Sequence, residues 1–309
     1  MTPIIHQKRD YTLHPYRLSD SAQNTLLNCE RRFQIDRLLE GSMRKEAQTA
    51  EMVRGTAYGV GVQIYMWTGD MERAIYETWL AYDPEVEDPP KTFMAKTINN
   101  LLQSREKLDE LRKSYEVAEF NNQPAIELSF RLNLDTKWYY VGYIDLVLRS
   151  KLSGLYGVLE VKTTGNARND LTPLYQNSGQ ALGYSIILDQ IAGADQATFE
   201  TPYLVCRDLY KGWIPDVQIF PFKRTLMDRF KWFLSLGMDL ERLNNMLALN
   251  HFPMRQKGCL AYGKVCPHFG FCSMTATDKY IEAPEDKSEY QFIYNLTDVI
   301  ADHVRRISI

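Results

Sequence analysis

Two consecutive apolar runs with charges embedded in them constrain this chain most. Trp138 to Leu148 (Trp-Tyr-Tyr-Val-Gly-Tyr-Ile-Asp-Leu-Val-Leu) and Leu155 to Thr164 are rich in aromatic and β-branched residues. Between them Arg149-Ser-Lys-Leu-Ser-Gly154 is polar and ends in glycine, so the two runs are expected to form an antiparallel hairpin that sets Asp145 close to Glu160. Side chains alternate along a strand: Glu160 and Lys162 share one face while Val161 points into the opposite, apolar layer. On an open surface these residues would be an ordinary ion pair. Inside strands this apolar, a charge calls for a partner or a chemical role.

Two neighbouring carboxylates repel each other unless a proton or a cation sits between them, and Mg²⁺ or Mn²⁺ with oxygen ligands is a natural resident. An ammonium group beside that ion can hold an attacking water and offset charge on a pentavalent phosphate. The expected metal ligands are Asp145, Glu160 and the Val161 carbonyl. A helix is expected from about Thr172 to Asp189, and one turn of it separates Gln180 from Tyr184, so both can face the same site. In this order the motifs resemble the RecB-type branch of the PD-(D/E)XK nuclease superfamily, with Asp145 as the "D", Glu160-Val-Lys162 as the "(D/E)XK" and Gln180-x-x-x-Tyr184 as the branch's additional motif. The resemblance implies catalytic roles for Asp145, Glu160, Lys162, Gln180 and Tyr184, the last two placing Lys162 and the DNA phosphate.

The five cysteines are Cys29, Cys206, Cys259, Cys266 and Cys272. Cys259, Cys266 and Cys272 lie in a short Gly- and aromatic-rich segment after His251-Phe-Pro253, a composition suited to wrapping a ligand. One upstream and three downstream cysteines resemble the iron-sulfur staple of AddB-like helicase-nucleases and CRISPR-associated RecB-like nucleases. That resemblance implies a 4Fe-4S cluster on Cys29, Cys259, Cys266 and Cys272 that ties the chain's ends together. Zn²⁺ suits four thiolates as well, with His251 or His268 as replacement ligands. Disulfides fit less well, because the N-terminus has no apolar signal region and the charged chain points to the reducing cytoplasm. Cys206 closes the apolar run Thr201-Pro-Tyr-Leu-Val-Cys206 and reads as a small core residue.

Arg54-Gly-Thr-Ala-Tyr-Gly-Val-Gly-Val-Gln63 resembles the branch's first motif, Gly-Thr-Ala-x-His, but Gly59 stands at the histidine position. The departure implies a more open metal site, a substitute ligand or an inactive enzyme. Gln63, one turn further, is in reach of the site, and Glu127 in the strand Ala125 to Leu132 is an outer participant at most. Helix glycines also allow close approach to a sheet.

Of 309 residues, 45% are hydrophobic and 24% charged, enough for one large domain with a sizeable core. The expected divisions are a helical part over 19–118 carrying Cys29, a catalytic core over 119–222, a helix and cysteine loop over 223–272, and an unassigned tail over 273–309. No run reaches the roughly 20 apolar residues that cross a membrane. A formal net charge of −3 does not mark a nucleic-acid binder, yet a cleft needs only local basic lining. Arg31-Arg32, Arg105 with Lys107, Arg112-Lys113, Lys223-Arg224 and Arg229 with Lys231 are candidates. The expected fold is α/β: a central mixed sheet with strands near 125–132, 138–148, 155–163, 199–206 and 213–221, flanked by helices in a restriction-endonuclease-like core, with a helical elaboration and a four-cysteine staple. The expected function is a metal-dependent DNA nuclease acting on ends or single strands. The alternatives are a catalytically weak iron-sulfur DNA-binding module and a structural subunit of a recombination complex. DNA is the implied partner, with a helicase or recombination protein beside it, since the chain contains no P-loop of its own.

Overall fold

A computed structural model describes residues 14–40, 50–82, 92–164, 173, 178–193, 200–207, 216–261, 264–270, 272 and 281–307. The chain divides into two compact units, one of residues 1–46, 130–142 and 230–309, the other of residues 47–129 and 143–229. Strands Ile126–Asn133 and Trp138–Ser150 and helix Leu226–Leu249 each contribute residues to both.

The second unit holds a mixed sheet. Asp216–Lys223 runs antiparallel to Glu200–Arg207, which is parallel to Tyr156–Thr164. Tyr156–Thr164 is in turn antiparallel to the hairpin strand Trp138–Ser150. The hairpin forms for the reason its sequence suggests: Ser150, Leu155 and Gly154 close the turn, with Gly154 at φ +72°, a conformation that favours glycine. Alternation then sorts the faces. Leu146, Leu148, Leu159 and Val161 pack into a core with Tyr58, Val62, Tyr65 and Met66 of helix Ala50–Thr68 and Leu101 and Leu108 of helix Thr92–Ser114, while Glu160 meets helix Gly179–Ala192 through Gln180. Helices therefore cover both faces of this sheet. Helix Gly179–Ala192 starts later than Thr172: Ser178 caps it by accepting from the Ala181 N–H. Residues 83–91 between helices Met71–Leu80 and Thr92–Ser114, expected as a loop, lie outside the described residues.

In the first unit Tyr16–Leu18 pairs parallel with Trp138–Tyr140, and Phe292–Asn295 pairs parallel with Phe130–Asn133. Trp138 is fully buried against Tyr16 and Phe33, and its indole N–H donates to Asn244 Oδ1 at 3.0 Å, which meets the need of a buried polar nitrogen. Ser19 caps helix Asp20–Asn28 on the Ala22 N–H. Glu30 is buried and held by the guanidinium groups of Arg242 and Arg255. Removing the carboxylate leaves two cations facing each other, so Glu30→Ala is expected to cost about 2–4 kcal/mol, read as a lower urea midpoint.

The four-cysteine staple is a correction to the expected fold. Cys29 lies buried at the junction of two helices, where its Cβ packs on the Gly258 backbone. Cys259 Sγ donates to the Arg255 carbonyl, and Cys272 Sγ lies 3.8 Å from Met254 Sδ. Among the described residues no group of three or more His, Cys, Asp or Glu side chains forms a metal site. Burial pushes the Cys266 and Cys272 thiols up, and the charge of Cys29 adds to the rise at both. Neither a 4Fe-4S cluster nor Zn²⁺ on Cys29, Cys259, Cys266 and Cys272 is supported. His268 is not a substitute ligand: buried, it bonds through Nε2 to Asp36 Oδ1 at 2.7 Å. His251 is exposed. The Cys206 side chain lies outside the described residues. With no staple to lose, Cys266→Ala is expected to shift the melting temperature by no more than about 2 °C, and metal analysis of the purified protein should find neither iron nor zinc in stoichiometric amount.

Candidate active site

Every side chain of the central motif lies in the second unit. The ladder of the hairpin runs through Leu146–Leu159, and next to it Asp145 Oδ2 accepts the Val161 N–H at 2.8 Å. The carboxylate thus takes a main-chain donor and is fixed between the two strands. Glu160, on the following strand, is almost wholly buried. Its Oε1 accepts Lys162 Nζ at 2.5 Å and Gln180 Nε2 at 2.8 Å, as the two-residue alternation on one strand face requires. Gln180 Nε2 also donates to Tyr184 Oη at 2.8 Å, one helical turn away. Asp145, Glu160, Lys162, Gln180 and Tyr184 are therefore joined in one cluster.

Burial dominates its electrostatics. It pushes the Asp145 carboxyl up to about 6, against the pull of Lys162 and of the Val161 N–H, and Glu127 adds to the rise. It pushes Glu160 further, to about 8, with the Asp145 charge adding to burial and Lys162 opposing both. Among the described residues Glu160 Oε2 is buried without a hydrogen-bond partner. A proton on Glu160 relieves the repulsion between the two carboxylates, the alternative to a cation that paired acids always have.

The Mg²⁺ or Mn²⁺ centre expected on Asp145, Glu160 and Val161 is not found among the described residues. Among the described residues no three His, Cys, Asp or Glu side chains converge on a metal position. One oxygen of Asp145 is held by the Val161 N–H, and one of Glu160 by Lys162 and Gln180. The expected cofactor is corrected on the finding that no such group forms among the described residues.

Two further side chains reach the cluster. Gln63 is buried on helix Ala50–Thr68, and its Nε2 donates to Glu127 Oε1 at 2.5 Å and to the Asp145 carbonyl at 3.4 Å. Glu127 has φ +49° within a strand, a conformation that costs a residue with a Cβ about 1–3 kcal/mol and concentrates at functional positions. Alternation in Ala125 to Leu132 gave no sign of this, because a single left-handed residue leaves the pattern intact. The basic candidates fare unevenly. Arg229 is fully buried, paired with Asp189 and bonded to Ser185, and Arg224 is buried as well, so neither lines a surface for phosphates. Arg105 and Lys107 pair with Asp109 and Glu110 on their own helix, and Arg112 lies over the Tyr65 ring.

No helix among the described residues is long and apolar enough to cross a membrane. No curated protein matches the sequence. Among solved structures the chain is similar to a candidate exonuclease of Eubacterium rectale, at 15% identity and a TM-score of 0.48, covering 81% of this chain and 86% of that one. It is also similar to SSO0001, at 11% identity and a TM-score of 0.27, covering 68% and 78%. The sequence profile of the PD-(D/E)XK nuclease superfamily matches residues 17–273, a span that includes both strands of the hairpin and the Gln180 helix, and the chain belongs to that superfamily.

Proposed function

We propose that the protein is a metal-dependent deoxyribonuclease of the RecB-like branch that hydrolyses phosphodiester bonds at DNA ends. The observation that carries this reading is the convergence of Lys162 Nζ and Gln180 Nε2 on one oxygen of Glu160, beside Asp145, in a chain of this superfamily. Lys162 is two-thirds buried at its base with its ammonium held in place, suited to positioning a water and to stabilising negative charge on the phosphorane. Asp145, ionised above about pH 6, is the acceptor for the water's proton. Gln180 and Tyr184 orient Lys162 and the phosphate.

The superfamily implies a divalent cation. Action at ends, and a helicase or recombination protein as partner, follow from the RecB-type order of the motifs. Linear and covalently closed circular DNA, incubated with Mg²⁺ or Mn²⁺ and separately with a chelator, test the three parts of the reading. Degradation of the linear form alone, and only with the cation, is the expected result. Nicking of the circle overturns end-directed action, cleavage in chelator overturns metal dependence, and intact DNA throughout overturns the nuclease.

A further inference from the structure

Helix Ala50–Thr68 carries three glycines, and only two have a packing reason. A Cβ at Gly61 would lie 2.2 Å from Thr78 Oγ1 and 2.6 Å from Leu101 Cδ2, so the close approach of two neighbouring helices requires glycine there. A Cβ at Gly55 would lie 2.9 Å from Thr163 Oγ1, where the helix meets the strand of Lys162. At Gly59 a Cβ meets no atom of the described residues within 4 Å. Glycine is the costliest residue in a helix interior after proline, and no described neighbour accounts for it at this position.

Its surroundings suggest a use. Residues 55, 59 and 63 repeat at four, so they lie along one helix face. At one end of that line Gly55 abuts Thr163, the residue after Lys162. At the other, Gln63 bonds Glu127 and the Asp145 carbonyl. Gly59, only partly exposed, sits one turn from each contact. The helix face that carries Gly59 thus also carries Gln63, whose amide and the Glu127 carboxylate it bonds are groups able to hydrogen-bond a sugar or a base.

We propose that the space beside Gly59 is a substrate subsite that receives the nucleotide next to the scissile phosphate, with the missing side chain setting how large a group the site admits. The inference deepens the nuclease reading and rests on it for the identity of the ligand. The test compares Gly59→Ala and Gly59→Leu with Gly237→Ala, whose Cβ also meets nothing within 4 Å but stands exposed on a helix of the other unit. Each is measured for melting temperature and for affinity to a fluorescent single-stranded oligonucleotide by anisotropy in Ca²⁺, a readout independent of cleavage. Expected are unchanged or higher melting temperatures for all three, unchanged affinity for Gly237→Ala, and affinity that falls with side-chain size at Gly59, at least about tenfold for leucine, worth roughly 1.4 kcal/mol. Wild-type affinity in Gly59→Leu overturns the subsite, and so does a marked fall in its melting temperature, which would mean that a segment of this chain fills the space. Failure of the nuclease reading appears separately, as wild-type protein that binds the oligonucleotide and leaves DNA intact with Mg²⁺ or Mn²⁺.

Discussion

Lys162→Ala is expected to lower DNA cleavage by at least about a thousandfold while DNA affinity stays within roughly threefold of wild type. The ammonium is the only cationic group bonded to the described carboxylate cluster, so its loss removes stabilisation that matters most when charge builds up on the phosphate. The fold should tolerate the change. Lys162 is a third exposed, and Gln180 still donates to Glu160 Oε1 after truncation. The defect should therefore appear in kcat with little change in KM, since an interaction made in the transition state alone does not report on ground-state binding. A comparable loss of DNA binding or a large drop in melting temperature would assign Lys162 a structural role instead.

Glu160→Gln is expected to raise stability at alkaline pH. Burial lifts the Glu160 carboxyl from an ordinary 4.5 to about 8. A carboxyl whose folded-state pKa is raised binds its proton more tightly in the native protein than in the unfolded chain. Its stabilising contribution is therefore full below about pH 4.5 and declines as pH rises, until it is lost above about pH 8. Glutamine keeps the shape, the acceptor for Lys162 and Gln180, and no charge. The variant should match wild type near pH 4 and melt roughly 2–8 °C higher at pH 9, since the desolvation penalty of a buried anion is gone. Thermal melts of both proteins across that pH range check it. A variant that melts below wild type at pH 9 would mean that ionised Glu160 is stabilised by its surroundings.

Much of this architecture was legible because strand periodicity is a strong signal. The strand near 125–132 is Ile126–Asn133, that near 155–163 is Tyr156–Thr164, and those near 199–206 and 213–221 are Glu200–Arg207 and Asp216–Lys223. The adjacency of Asp145, Glu160 and Lys162 followed from one short turn and from alternation, both local properties. Gln180 and Tyr184 followed from the helical repeat. What failed depended on distance in the chain. Cysteine spacing carries no information about where Cys29 lies relative to residues more than two hundred positions later, and among the described residues the cysteines form no metal-binding group. The metal expectation failed because pattern places two carboxylates together but does not supply the third His, Cys, Asp or Glu of a metal-binding group, and none joins them among the described residues. Arg229 looked like a surface cation because nothing in its helix reveals that Asp189 meets it in the interior. Glu127 was undervalued because a left-handed residue in a strand has no sequence signature outside glycine and asparagine.

The most direct test of the central claim is the initial rate of label release from end-labelled linear DNA in Mg²⁺ or Mn²⁺, with Lys162→Ala purified and assayed beside the wild type. The account predicts release by wild type and essentially none by the variant. Equal rates in the two proteins, or no release by a wild-type protein that binds the DNA, would contradict it.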